Sequence, residues 1–194
     1  MSTCKLVLIE RGLDARSLAE AFSRFDITLS VFEQGFRHGG AFDDVHAVEM
    51  LTRHGPYDGL LLAPAIADGA ADAPLDDVVD VLTSSFIYLK AALASFEDRA
   101  VAGRVIALLP GDATMGDPGD VVNSAIAGAM LSLFRTVALE LRRTSITANT
   151  LMYSADETAG LATLINSLLD PDAHSINGQE IYACGGADVG RLHP

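Results

Sequence analysis

Two pairs of neighbouring residues in this sequence have side chains that could support proton transfer. They are Tyr88 with Lys90, and Tyr153 with Ser154. A tyrosine hydroxyl acts as a general acid or base when a nearby cation tunes its pKa. Residues two apart on a helix point in different directions, which disfavours the pair of Tyr88 and Lys90. Tyr153 ends an apolar run, where α/β proteins usually place their sites, but the sequence sets no base beside it.

Metal and thiol chemistry have little support in the sequence. The two cysteines, Cys4 and Cys184, stand in separate apolar runs, without CxxC or Cys/His spacing. We therefore expect two buried free thiols in a reducing compartment. The histidines share no metal-ligand spacing either, and we predict no metal site. They are His38, His46, His54, His174 and His193.

The composition indicates a soluble globular protein. The chain has 194 residues and a net charge of −13, with 49% hydrophobic residues. Its length suits a single domain over residues 1–194, and its negative charge disfavours nucleic acids and anionic membranes as partners. The N-terminal MSTCKLVLIE lacks the features of a signal peptide, and no apolar run approaches membrane-spanning length. We expect a cytoplasmic protein.

Alternating strands and helices define the fold class. Short apolar runs predict strands at residues 5–10, 26–33, 59–63, 105–109, 145–153 and 180–184. Apolar residues at helical spacing predict helices at 15–25, 43–54, 75–96, 120–143 and 157–169. Strands that are apolar along their whole length are typical of parallel sheets covered on both faces. The sequence therefore predicts an α/β protein with a doubly wound parallel sheet flanked by helices.

The second half resembles the short-chain dehydrogenase/reductase family. GRVIALLP at 103–110 resembles the strand before the family's catalytic loop, and SAIAGAMLSLFRTVALELRR at 124–143 resembles its catalytic helix. SITANTLMYS resembles the strand I-R-V-N-x-V-x-P-G, with Asn149 retained, and INGQEIYACGG resembles the closing T-G-Q-x-I-x-V-D-G-G. The resemblance implies a Rossmann-like fold, shortened between residues 33 and 59, where the family has a further helix and strand.

Compared with that family, the cofactor-binding elements are reduced. The Gly-rich turn whose backbone would face a pyrophosphate is here ERGLDARS at 10–17, in which only Gly12 remains. Glu33 stands where an acidic residue would hold a ribose hydroxyl. The family's N-N-A-G corresponds to the sequence LAPA at 62–65, which has no polar side chain. We therefore predict that the protein uses no cofactor.

The catalytic positions implied by the resemblance are also changed. The family's Tyr, Lys and Ser positions correspond to Asn123, Ala127 and Pro110. An amide and a methyl group cannot transfer protons or tune a phenol. The substrate-covering insertion of the family is missing between Tyr153 and Glu157. No catalytic residue is therefore predicted.

The helix at 120–143 keeps features of an assembly surface. The resemblance implies that this helix and the one before it pack against the same helices of another subunit. A surface of small residues permits close helix approach, and the preceding helix has more apolar residues than one buried face needs. The residues predicted at this interface are Phe86, Leu89, Gly128, Ala129 and Leu133.

Three hypotheses follow for the function. The first is a non-catalytic subunit that serves as scaffold or regulator, paired with itself or with a full-length short-chain dehydrogenase/reductase homologue. The second is a divergent oxidoreductase with a rebuilt site at one of the tyrosine pairs. The third is a small-ligand binding module that uses the crevice beyond Glu10, Leu62 and Leu109.

Overall fold

Six parallel strands form one sheet. The protein is described by a computed structural model, which covers residues 3–11, 13–33, 44–66 and 75–190. The strands are adjacent in the order β2-β1-β3-β4-β5-β6, and every neighbouring pair is parallel. Their bounds are β1 Cys4–Glu10, β2 Ile27–Glu33, β3 Gly59–Ala63, β4 Arg104–Pro110, β5 Thr147–Tyr153 and β6 Glu180–Ala183.

Helices connect the strands on both faces of the sheet. They are α1 Ala15–Phe22, α2 Asp44–Arg53, α3 Leu75–Asp98, α4 Gly111–Met115, α5 Val121–Leu141 and α6 Thr158–Leu169. Leu18 and Phe22 of α1 pack with Leu161 and Ile165 of α6 in one core cluster. Residues of α2, α3 and α5 form the other cluster. The predicted doubly wound α/β fold is confirmed.

The predicted boundaries differ from the observed ones in a few places. Helix α1 ends at Phe22, where residues 23–26 turn directly into β2, so the predicted end at residue 25 is wrong. Helix α3 continues to Asp98, and the short helix α4 was not predicted. Asp120 caps α5 by accepting a hydrogen bond from the Asn123 N–H, which fixes the start of that helix. Gly12 and Asp43 lie outside the described residues.

Helices α3 and α5 are more apolar than expected from the sequence. Both are long and apolar enough to cross a membrane by length and composition alone, with 39% of each apolar window buried. The expectation that no segment approaches membrane-spanning length is therefore wrong for these two helices. Both contribute to the core on the same face of the sheet, through residues such as Leu89, Phe96 and Phe134. Covering a parallel sheet explains part of their apolar surface.

Two asparagine side chains tie β5 to its neighbours. Asn149, which the resembling motif retains, donates from Nδ2 to the Ile176 carbonyl at 2.8 Å, and its Oδ1 accepts from the Gln179 N–H at 2.9 Å. Asn177 accepts from the Ala148 N–H and donates to the carbonyl of Ala138 on α5, both at 2.9 Å. These polar residues therefore hold the framework together by satisfying backbone groups.

Arg104 organises the opposite, amino-terminal edge of the sheet. The side chain is 3% exposed, and its guanidinium donates to the carbonyls of Leu168 at 3.1 Å and Ser145 at 3.0 Å. It also donates to Ala102 and Gly103. Burial lowers the pKa of Arg104, although a guanidinium remains charged at neutral pH. One side chain thus joins the start of β4, the turn before β5 and the end of α6.

We predict that Arg104→Met destabilises the protein. The substitution keeps much of the apolar stem but removes the donors from buried carbonyl groups, which lowers the free energy of unfolding by about 2–4 kcal/mol. Urea denaturation followed by circular dichroism measures the change. The control is Arg142→Met, because Arg142 is exposed after α5 and should alter stability by no more than about 0.5 kcal/mol. Equal stability of the two variants would contradict the assignment.

Candidate functional site

A cleft opens at the carboxyl-terminal edge of the sheet, where α/β proteins usually bind ligands. It has a volume of about 580 Å³ and lies between the start of α1 and the ends of β4 and β5. We term it the carboxyl-edge cleft. Its lining residues are Leu13, Asp14, Pro110, Gly111, Asp112, Tyr153, Ser154, Ala155, Asp156, Thr158 and Leu161.

Asn123, in the first turn of α5, binds the segment that follows β3. Its Oδ1 accepts from the Ile66 N–H at 2.8 Å, and its Nδ2 donates to the Ile66 carbonyl at 3.0 Å. The second Nδ2 proton is donated to Asp120 at 2.7 Å. The side chain is 7% exposed. The amide therefore pairs with both polar groups of one backbone residue and locks the loop after β3 onto the start of α5.

Ala127, one turn further along α5, belongs to the core. Its side chain is 1% exposed and packs within the cluster formed by α2, α3, α5 and the sheet. A lysine at this position would place a charge among apolar groups, which is strongly unfavourable without a partner. The position that the resemblance assigns to the catalytic lysine therefore packs in the core.

Carboxylates occupy the backbone donors at the start of α1. Glu10 accepts from the Leu13 N–H at 3.3 Å. Asp14 accepts from the Ser17 N–H at 3.1 Å and from the Ser17 hydroxyl at 2.6 Å. The hydroxyl bond is the main reason that the pKa of Asp14 is lowered. A helix start of this kind can bind a phosphate only if its N–H groups are free and no negative charge stands in front of them.

Tyr153 presents a buried phenol to the carboxyl-edge cleft. The side chain is 9% exposed, and its hydroxyl makes no hydrogen bond with the part of the chain that the structure describes. Burial, together with the negative charge of Glu10, raises the pKa of Tyr153 to about 12. A catalytic phenol needs its pKa lowered toward neutrality. The environment of Tyr153 has the opposite effect, which disfavours the hypothesis of a rebuilt oxidoreductase site.

The other predicted site residues are placed as follows. Pro110 precedes α4 and lines the cleft. Leu62 and Leu109 are 1% and 0% exposed in the core. The crevice expected beyond them stays a prediction, and Pro110, which follows Leu109, lines the carboxyl-edge cleft. The hydrogen-bond ladder between β1 and β3 continues to the end of both strands, because the Arg11 N–H donates to the Ala63 carbonyl at 3.0 Å.

Several other predictions concern residues that the structure separates or does not describe. Tyr88 is buried while Lys90 is exposed, so they point apart as predicted. Gly12 and the side chain of Glu33 lie outside the described residues. Among the described residues, no group of three or more His, Cys, Asp or Glu side chains could hold a metal ion.

Most of the predicted interface residues are accessible to solvent. Phe86 is 52% exposed, Gly128 and Ala129 are exposed, and Leu133 is half-buried. The prediction is wrong for Leu89, which is 1% exposed and packs in the core instead of facing solvent. It forms part of a groove of about 290 Å³ between α3 and α5.

The sequence reasoning missed the acidic lining of the cleft. Asp112 follows β4 and Asp156 follows β5, and both carboxylates line the same space. The available signal was positional, because acidic residues just after the ends of neighbouring parallel strands meet at one edge of the sheet.

Comparisons with known proteins identify the fold. No protein-family model matches the sequence, and no curated protein sequence matches it. Solved structures do match. Acetoin dehydrogenase from Enterobacter cloacae has 18% identity and a TM-score of 0.73, over 96% of this chain and 95% of that one. A short chain dehydrogenase from Bacillus anthracis has 16% identity and a TM-score of 0.73, over 98% of each chain. A variant of actinorhodin polyketide ketoreductase with NADPH has 17% identity and a TM-score of 0.73, over 96% of this chain and 98% of that one. The chain therefore has the Rossmann-like fold of short-chain dehydrogenases.

We predict that Asn123→Ala destabilises the fold and loosens the loop after β3. Ile66 is 8% exposed, so its N–H and carbonyl would lose their partner in a nearly buried position. The free energy of unfolding should fall by roughly 2–4 kcal/mol, and the Ile66 amide should exchange faster with solvent. Urea denaturation and hydrogen exchange measure both effects.

Asn166→Ala provides the matched control for this substitution. Asn166 lies within α6 and makes no side-chain hydrogen bond with the described residues. Its replacement should change stability by less than about 0.5 kcal/mol. If Asn123→Ala had no larger effect than this control, the pairing with Ile66 would not be structurally important.

Proposed function

We propose that the protein is a non-catalytic short-chain dehydrogenase/reductase-like subunit. It acts in the cytoplasm as a scaffold or regulator, in an oligomer with itself or with an active full-length homologue. The observation that supports this most strongly is the pairing of Asn123 with the backbone of Ile66. The position that the resemblance assigns to the catalytic tyrosine is thereby committed to holding the fold.

The surroundings of that position support the same proposal. Ala127 fills core space where a catalytic lysine would need to reach a cofactor. The backbone donors near the start of α1 are paired with Glu10 and Asp14, whose charges would repel a pyrophosphate. The raised pKa of Tyr153 leaves its phenol protonated at neutral pH, with no tuning cation.

The exposed surface of α3 and α5 supports assembly. Phe86 is 52% exposed and Leu139 is 63% exposed, which leaves two large apolar side chains in water on these helices. Between the apolar positions, α5 exposes Gly128 and Ala129, and a small-residue surface permits close approach of another helix. A two-fold interface would place the same surface of two subunits together. Burying each large side chain would contribute about 1.5–3 kcal/mol before entropic costs.

We predict that NAD(H) and NADP(H) do not bind. The carboxylates of Glu10 and Asp14 stand where phosphate groups would need free N–H donors. Titration calorimetry at low salt should show no heat of binding for any of the four nucleotides. An affinity in the micromolar range for one of them would refute this prediction and favour the divergent oxidoreductase.

We also predict a dimer or larger oligomer at micromolar concentration, which Gly128→Leu shifts toward monomer. A Cβ at Gly128 would meet no atom within 4 Å in the single chain, so the larger side chain fits the monomer. Overpacking a close contact between subunits, by contrast, costs roughly 1–3 kcal/mol. Light scattering coupled to size exclusion measures the mass of each form.

Gly160→Leu, on the exposed surface of α6, is the matched control and should leave the oligomer unchanged. A Cβ there meets only Glu157, at an ordinary contact distance of 3.7 Å. Circular dichroism should show that both variants remain folded. A monomer in the unmodified protein, with no homologue recovered beside it from the native host, would contradict the scaffold proposal.

A further inference from the structure

Tyr153 carries a polar group that the fold itself does not use. Its side chain is more than nine-tenths buried, lines the carboxyl-edge cleft, and makes no hydrogen bond with the described residues. The ring of Tyr153 packs in the core cluster with Leu161 of α6, while the hydroxyl oxygen itself is not fully buried and opens to the cleft. The hydroxyl is therefore held in place by a packed ring and is available to a hydrogen-bonding group that enters the cleft.

The charge of the carboxyl-edge cleft restricts what can enter. Asp14, Asp112 and Asp156 line it. From beyond the lining, the negative charge of Glu10 acts on Tyr153 and the positive charge of Arg16 acts on Asp14. No lysine or arginine is among the described lining residues. Phosphates and carboxylates would therefore be repelled, and a cation would be attracted.

The spacing of these acids favours an organic cation over a metal ion. In the described residues, no three His, Cys, Asp or Glu side chains converge closely enough to hold a metal. A divalent ion needs several oxygen ligands at short distance. An alkylammonium compound needs only one or two hydrogen-bond acceptors and a surrounding negative charge, together with apolar walls for its methylene groups.

The walls of the cleft provide those apolar contacts. Leu13 lies on the α1 side, Pro110 at the end of β4, and Leu161 on α6. The Tyr153 ring adds an aromatic surface, which attracts ammonium groups through its π electrons. The volume of about 580 Å³ is ample for a short diamine.

We propose that the carboxyl-edge cleft binds a small alkylammonium compound. One ammonium group donates a hydrogen bond to the Tyr153 hydroxyl, while the methylene chain lies against Leu13, Pro110 and Leu161. Asp112 and Asp156 provide the compensating negative charge. The site depends on the cleft alone, so it stands whether or not the protein assembles through α3 and α5.

Calorimetric titration with three probes of matched length tests the proposal. The probes are 1,4-diaminobutane, the neutral 1,4-butanediol and the anionic succinate, each titrated at low ionic strength. Only the diamine should bind, and added salt should weaken its binding. Equal binding of the diol would overturn the proposal. The absence of any heat of binding from the diamine at about 10 mM, roughly ten times a dissociation constant of 1 mM, would also overturn it.

Variants then locate the bound diamine. Tyr153→Phe removes one hydroxyl and should weaken the affinity about two- to tenfold. Asp156→Asn, at an exposed position that leaves the core unchanged, should weaken it roughly two- to fivefold. The matched control is Asp98→Asn, because Asp98 is exposed at the end of α3 near the other edge of the sheet.

The control separates a specific site from general attraction to an acidic protein. Asp98→Asn should leave the affinity unchanged, while the two cleft variants reduce it. If all three variants weakened binding equally, the diamine would be held by the net charge of the protein and the proposed site would be wrong. Light scattering of the same samples reports assembly separately, so failure of the cation site is distinguishable from failure of the scaffold proposal.

Discussion

The hydrogen bonds between the Asn123 amide and the Ile66 backbone set the geometry of the carboxyl-terminal edge of this protein. In a doubly wound sheet, that edge is where the strand connections diverge and leave room for a ligand. Here a side chain of α5 satisfies both polar groups of a residue in the loop after β3. The loop and the helix are therefore joined directly by hydrogen bonds of the protein itself. Ala127 then packs into the core directly below.

The cleft lies toward β4 and β5 and has an acidic lining. Pro110 and Tyr153 form its inner wall, and acidic residues that follow three different strands line its rim. Burial, and after it the negative charge of Glu10, raises the pKa of Tyr153. Packing and electrostatics therefore act in the same direction on this phenol.

The fold was predictable because its signals are local and repeated. Apolar runs such as the one in β4 are buried on both faces, and helical periodicity places α3 and α5 correctly. Asn149 was matched to a motif, and with Asn177 it bridges backbone groups between elements that are distant in sequence. The resemblance also placed Asn123 at the family's tyrosine position. The hydrogen bonds of Asn123 to Ile66 were not predictable, because the two residues are 57 positions apart.

The candidate site was harder to predict for the same reason. Asp14, Asp112 and Asp156 follow the ends of three different strands, and their proximity depends on the strand order and not on their spacing in the sequence. Leu89 shows the complementary difficulty. Its helix is apolar on more than one face, so hydrophobicity alone did not distinguish a residue directed at the sheet from one directed at solvent.

The pairing of Asn123 with Ile66 also limits which side chains position 123 can accept. A tyrosine there would remove the amide and break two buried hydrogen bonds. A lysine at position 127 would meet a second barrier, because it must find space in a filled core. The first two turns of α5 are therefore intolerant of larger side chains at both positions, and changing the two together would weaken the fold at adjacent points.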